Sequence, residues 1–235
     1  MFRRWLIGSV PVLVVVVLLG TGTFYLMKAR TFQLAGHVVS RVDTDARVVA
    51  LTLDDGPSDR APEVLKVLAD AQVPATFYLN GRDLAEHPEY GRAIAAAGHE
   101  IGNHTYSHRR MVFVTPGTVR DEVERTDAEI MQTGYVGPIT FRPPYGKKLW
   151  VLPHYLAEHD RVTVTWDVEP DSGRAGVTAD DIVAETLGKV RPGSIVLLHV
   201  MHGNAEPSIA AIPRIVTELR AAGYQFVTVS DLMSR

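Results

Sequence analysis

Two histidines four residues apart, His104 and His108 in GHEIGNHTYSH, have the clearest chemical use in this chain. On one helical turn, side chains at i and i+4 share a face, so both imidazoles would reach a single divalent cation. A catalytic site with open coordination positions commonly adds a carboxylate to two imidazoles. The adjacent acids of LTLDDG, Asp54 and Asp55, offer one. Neighbouring carboxylates repel each other, and a cation held by one of them relieves that repulsion. Gly56 and Pro57 follow, a turn pair that would fix where the two acids point. Taken singly, each pattern has a plain reading as exposed histidines or as acids on a solvated turn. Together they describe a metal site. The chain has no cysteine, which excludes thiolate ligands, disulfides and a cysteine nucleophile.

These residues need elements that bring them together. Runs rich in β-branched and aromatic residues predict strands at 48–53, 75–79, 100–102, 139–142, 162–166, 194–199 and 225–229. Helices are expected from Pro62 to Ala71, over 89–97, from Thr115-Pro116 towards Thr133, and over 149–159. Two more are expected at 179–189, capped by Thr178, and at 209–222, where Ile209, Ile212, Val216 and Leu219 form one apolar face. Alternating strands and helices mean βαβ units and a parallel sheet. The polar residues then fall at the carboxyl ends of successive strands: Asp54 and Asp55, Asn80, His104 and His108, Arg142, Trp166 and Asp167, and His199. A barrel gathers those ends on one face, whereas an open sheet would spread them. The expectation is an α/β barrel.

Trp5–Met27 runs for 23 residues without a charge. As a helix it would match the ~30 Å hydrocarbon core of a bilayer. No Ala-x-Ala site follows it, so residues 1–27 read as an uncleaved transmembrane anchor in preference to a signal segment. Residues 28–46 read as a connector and 47–235 as one folded domain. Arg3 and Arg4 on one side and Lys28 and Arg30 on the other leave the orientation undecided by charge. They are the only charges in residues 1–30. The remainder holds 20 of the 24 basic residues against all 27 acidic ones, a net of −7. Without a basic footprint, nucleic-acid binding is not expected. At 46% hydrophobic and 22% charged residues, the composition is globular, not disordered.

In order along the chain, LTLDDG (51–56), HTYSH (104–108), FRPPYG (141–146) and LLH (197–199) resemble the motifs of the polysaccharide deacetylase family, carbohydrate esterase family 4 with its NodB-homology domain. The resemblance covers about residues 47–232. It implies a distorted (β/α)7 barrel, here preceded by the N-terminal transmembrane helix. It also implies removal of acetyl groups from N-acetylglucosamine polymers such as peptidoglycan or chitin, or of acetyl esters from xylan, with a divalent metal, most often zinc. Carried over by motif, Asp54 is the general base, and Asp55, His104 and His108 are the metal ligands. His199 is the general acid, Arg142 orients the base, and the backbone N–H of Tyr145 supports the oxyanion. A polysaccharide substrate implies a domain outside the cytoplasm, anchored at the membrane or secreted if the N-terminus is cleaved.

One motif departs from the family. The W-x-x-D-x-x-D-W element reads WDVEPDSG (166–173), with Glu169 at the first acidic position and Ser172 and Gly173 in place of Asp and Trp. Asp171 and Glu169 become the two candidates to support His199. The departure leaves two alternatives open: a barrel that cleaves other acetyl esters or small amides, and a glycan-binding protein without activity. His99 and Asn103 are expected to buttress the histidine segment. His202 faces either the cleft or solvent, and His37, His87, His154 and His159 read as surface residues.

Overall fold

The computed structural model describes residues 2–173 and 176–235 and, within the first helix, side chains from Val14 onward. Helix α1 (Phe2–Lys28) is followed by β1 (Val38–Val39), β2 (Val48–Asp54), α2 (Ala61–Asp70), β3 (Thr76–Leu79), α3 (Gly81–Glu86), α4 (Pro88–Ala96) and β4 (Glu100–Asn103). Then come α5 (Pro116–Gln132), a 3-10 turn at Pro144–Gly146, α6 (Val151–Glu158), β5 (Thr163–Val164) and α7 (Ala179–Lys189). The chain closes with β6 (Ser194–His199), α8 (Glu206–Ala221), β7 (Gln225–Val227) and α9 (Val229–Met233).

All pairings between strands are parallel, and β2 is the hub: it pairs with β3, β6 and β7. Every residue of β2 is buried, as expected of a parallel strand covered on both faces. Its side chains alternate between two cores with the strand period of two. Val49, Leu51 and Leu53 join Phe77, Leu198 and Ile212 in the larger core, and Val48 and Ala50 join Tyr78, Leu197 and Trp166 in the smaller one. The apolar stripe anticipated on α8 is buried. Thr115 caps α5 by accepting the Thr118 N–H, and Thr178 closes a capping box on α7.

The expected distorted (β/α)7 barrel behind a transmembrane helix requires correction. The described strands form a five-stranded run, in which β4, β3, β2 and β6 follow one another and β7 adds to β2, and a β1–β5 pair that is joined to β4 through Phe141. The 139–142 segment forms no strand. Only Phe141 bridges, to Asn103 on one side and Thr163 on the other, and Val168 makes a single bridge to Val196. Pro138 and the Pro143-Pro144 pair bound that segment, and between them the Phe141 N–H donates to Val162 O and the Arg142 N–H to Asn103 O. What remains of the expectation is an α/β fold around a parallel sheet.

The membrane span fails as well. Among the described residues, no helix is long and apolar enough to cross a membrane. After Leu19 the apolar run gives way to Gly20-Thr21-Gly22-Thr23. The part of the expectation that falls on residues 5–13 lies outside the described side chains. The carboxyl end of α1 is fastened to the domain by Lys148, whose Nζ donates to Ala29 O at 2.6 Å and whose backbone N–H donates to Met27 O at 3.2 Å. Burial pulls that ammonium down to about 8.

Candidate active site

The adjacent strands β2 and β6 run in a register that sets Asp54 opposite His199. Neighbouring strands lie about 4.8 Å apart, so the register alone places a carboxylate beside an imidazole at one sheet edge. Asp54 is buried, and its Oδ1 accepts from Arg142 Nη1 at 2.6 Å. Arg142 is fully buried, also donates to Thr52 Oγ1 and Thr165 O, and lies 4.0 Å over the Tyr78 ring. Burial raises the Asp54 carboxyl, and the charge and hydrogen bond of Arg142 oppose that rise. Asp55 follows with a left-handed backbone (φ 75°), as does Gly56, where an added Cβ would stand 2.8 Å from the Met201 side chain. Only glycine fits there.

The HTYSH segment is not helical, so the expected helical turn is replaced by another device. Thr105 and His108 both have positive φ (70° and 56°), and the resulting loop sets the two imidazole centroids 5.0 Å apart. Distant residues pin this loop. Asn80 Nδ2 donates to His104 O, and Asn103 Oδ1 accepts the Thr105 N–H. The Glu122 carboxylate on α5 accepts from both the backbone N–H and the hydroxyl of Ser107, at 2.8 and 2.6 Å. Asn103 thus buttresses the loop as expected. His99 does not; its Nδ1 accepts the Ala75 N–H beside the Phe77 ring, and burial pulls it down to about 4.

Whether these residues suit a metal is decided by proton positions. His104 Nδ1 lies 2.8 Å from the Arg142 carbonyl, which can only accept, so Nδ1 carries the proton and Nε2 a lone pair. That lone pair faces Asp54 Oδ2 at 3.6 Å and Asp55 Oδ1 at 3.8 Å. Burial pushes His104 down to about 3, so it is neutral at ordinary pH. His108 Nε2 lies 3.2 Å from the same Asp55 oxygen. One ligand atom each from Asp55, His104 and His108 falls within 4.8 Å of the others. A buried lone pair aimed at carboxylate oxygens is repulsive unless a cation lies between them. Two imidazoles and a carboxylate suit a divalent ion with open positions, zinc included. The residues fit the group.

Beside this cluster, His199 Nδ1 lies 3.2 Å from Asp171 Oδ1, and its backbone N–H donates to Asp171 Oδ2 at 2.6 Å. Ser208 on α8 donates to the same oxygen. Burial pulls His199 down, but the hydrogen bond and charge of Asp171, with Asp54 and Asp55, outweigh it and push the imidazole up to about 9. Of the two candidates, therefore, Asp171 touches His199. Glu169 instead accepts from Trp166 Nε1 and pairs with Arg30, both at 2.7 Å. Tyr145 sits in the 3-10 turn with φ 59°, its ring 4.8 Å from that of His108. His202 pairs with Asp83 at 3.2 Å.

The residues that hold the site were harder to read than those that form it. Thr52 was signalled only by being a polar residue in an apolar strand, and Asn80 by following one. Glu122 carried no sequence signal, since an acid on a helix usually faces water.

Residues 41–170 match the family described as polysaccharide deacetylase. A peptidoglycan-N-acetylglucosamine deacetylase of Bacillus cereus is 35% identical over 78% of this chain and 67% of its own length. A chitooligosaccharide deacetylase of a Bradyrhizobium species is 40% identical over 65% of this chain and 70% of its own. Among solved structures, a peptidoglycan N-acetylglucosamine deacetylase in complex with 4-naphthalen-1-yl-N-oxidanyl-benzamide superposes with a TM-score of 0.78 at 33% identity, covering 82% of this chain and 91% of that one.

Proposed function

The chain belongs to the polysaccharide deacetylase family, and from that premise we propose that it is a metal-dependent hydrolase that removes N-acetyl groups from an N-acetylglucosamine-containing glycan, of the peptidoglycan or chitin type, outside the cytoplasm. The observation that carries this reading is the juxtaposition at one sheet edge of an Arg142-held carboxylate, an Asp171-held imidazole and the Asp55–His104–His108 triad.

A divalent cation, zinc being the first choice, held by Asp55, His104 and His108 would supply Lewis acidity toward the acetyl carbonyl and the attacking water. Asp54 is the general base: it takes a proton from the water as oxygen bonds to the carbonyl carbon. Its alignment comes from Arg142, whose charge also favours the ionised carboxylate against burial. The carbonyl oxygen gains negative charge in that step, and the Tyr145 backbone N–H is the protein donor for it. The strained backbone at Tyr145 is the kind that persists where surrounding structure aims a group. His199, protonated at neutral pH because of Asp171, donates its Nε2 proton to the sugar nitrogen as the C–N bond breaks. Acetate and a free amine leave.

The relatives named as peptidoglycan and chitooligosaccharide deacetylases support this substrate class. The test is acetate release by the full chain from peptidoglycan, chitooligosaccharides and acetylxylan. Release from an N-acetylated glycan with little from acetylxylan is expected. Activity on xylan esters alone, or on none of the three with metal bound, would overturn the proposal.

A further inference from the structure

Away from the catalytic cluster, α5 and α6 lie side by side, joined by the Tyr155 hydroxyl donating to Glu124 at 3.0 Å and by Arg161 donating to Asp127 at 2.7 Å. Between them runs a depression of about 440 Å³. Its walls are stripes at four-residue spacing, which is what makes a straight groove along two helices. Trp150, His154 and Glu158 form one wall, and Arg120 and Glu124 the other. From Trp150 to Glu158 the groove is about 12 Å long.

The lining has a definite chemistry. Trp150 is 60% exposed, and its indole stacks on His154 with centroids 4.4 Å apart and planes 29° from parallel. His154 Nδ1 lies 2.9 Å from its own helix carbonyl, so that ring is held and its Nε2 remains available. Among the described residues, Arg120 and Glu158 have neither an ion pair nor a side-chain hydrogen bond. An exposed indole face beside a guanidinium, carboxylates and an imidazole edge is the equipment for a sugar: ring C–H groups pack on the indole, and hydroxyls bond to the charged edges. The groove is too polar for an apolar peptide, and its mixed charge gives no preference for a polyanion.

Its position ties it to catalysis. Trp150 follows Tyr145 by five residues, at most about 17 Å of chain. Lys148, between them, bridges to Met111, three residues past His108. We propose that the α5–α6 groove is a remote glycan subsite, with Trp150 as its platform, that engages sugar units of a long chain whose acetylated unit lies at the Asp54–His199 centre. The inference rests on the deacetylase reading for its substrate, but not for its test.

The probes are the N-acetylglucosamine dimer and hexamer, with affinities for the full chain measured by calorimetry in parallel with acetate release. Wild type should bind the hexamer about tenfold more tightly than the dimer, the gain expected of one added aromatic platform. Trp150→Ala should abolish that advantage while leaving dimer affinity and dimer turnover unchanged, and Trp150→Phe should restore most of it. Equal affinities for the two lengths in wild type would overturn the subsite, as would equal weakening of both probes by Trp150→Ala. Acetate release without length dependence would remove the subsite and leave the deacetylase standing. Trp150-dependent preference for the hexamer without acetate release would do the reverse.

Discussion

At the scale of single residues, the account turns on two held groups. Asp171 keeps His199 protonated to about pH 9, and an acid must be protonated to act, so activity should fall as pH rises through that value. Replacing Asp171 by Asn removes the hydrogen-bond charge, and the alkaline limb should move down by one unit or more. At pH 8 a one-unit shift halves the protonated fraction, roughly a twofold loss of kcat that approaches tenfold at pH 9 and above, checked by a pH–rate profile of the two proteins. The same raised value stabilises the fold, with the contribution fully present below about pH 6.5 and lost as pH climbs through about 9. Arg142 is the second held group. Arg142→Met would leave the Asp54 carboxylate buried without its partner, which should destabilise the fold by about 3–5 kcal/mol, measured by denaturant unfolding. That Asp54 and His199 lie at strand ends was legible in LTLDDG and LLH, and the structure sets them opposite each other; the roles proposed for them come from the resemblance. The partner of His199 could not be chosen between Asp171 and Glu169, because a shift of two residues in a loop leaves no mark on composition. Glu169 is occupied by Trp166 and Arg30.

Among the elements, the strands and long helices followed the expected pattern, since apolar period and capping residues act locally. The failures are where a non-local cause decides. The 139–142 segment has strand-like residues but is cut short by the prolines on either side, so that it pairs with β4 and β5 only around Phe141, and α3 and α9 are short helices of six and five residues. The histidine segment is the instructive case: the i, i+4 spacing suggested a helix, whereas two left-handed residues and contacts from Asn80, Asn103 and α5 do the positioning. That assigns Glu122 a measurable role. Glu122→Ala should release Ser107 and weaken zinc affinity by about 10–100-fold, as loss of a ligand's supporting contacts generally does, with helix content unchanged. Chelator competition titration checks the affinity and circular dichroism the helix content.

For the whole molecule, the sheet is the device that converts sequence order into a site. Asp54 and His199 lie 145 positions apart and become neighbours because β2 and β6 pair in parallel register. The apolar N-terminal run misled because absence of charge was read as continuous apolarity, whereas Gly20-Thr21-Gly22-Thr23 interrupts it. A cation between Asp55, His104 and His108 would bind the folded chain and not the unfolded one. Saturating zinc at about 100 times its dissociation constant should therefore add about 2.7 kcal/mol to stability, lost on chelation and visible as a drop in Tm. The central claim is that Asp54 acts on protons while its neighbours hold the metal. It is tested most directly by acetate release from peptidoglycan by Asp54→Asn protein loaded with zinc, measured beside wild type. The account predicts near-normal zinc content with kcat reduced by at least about 10²-fold. Acetate release at the wild-type rate from the zinc-loaded variant would contradict it.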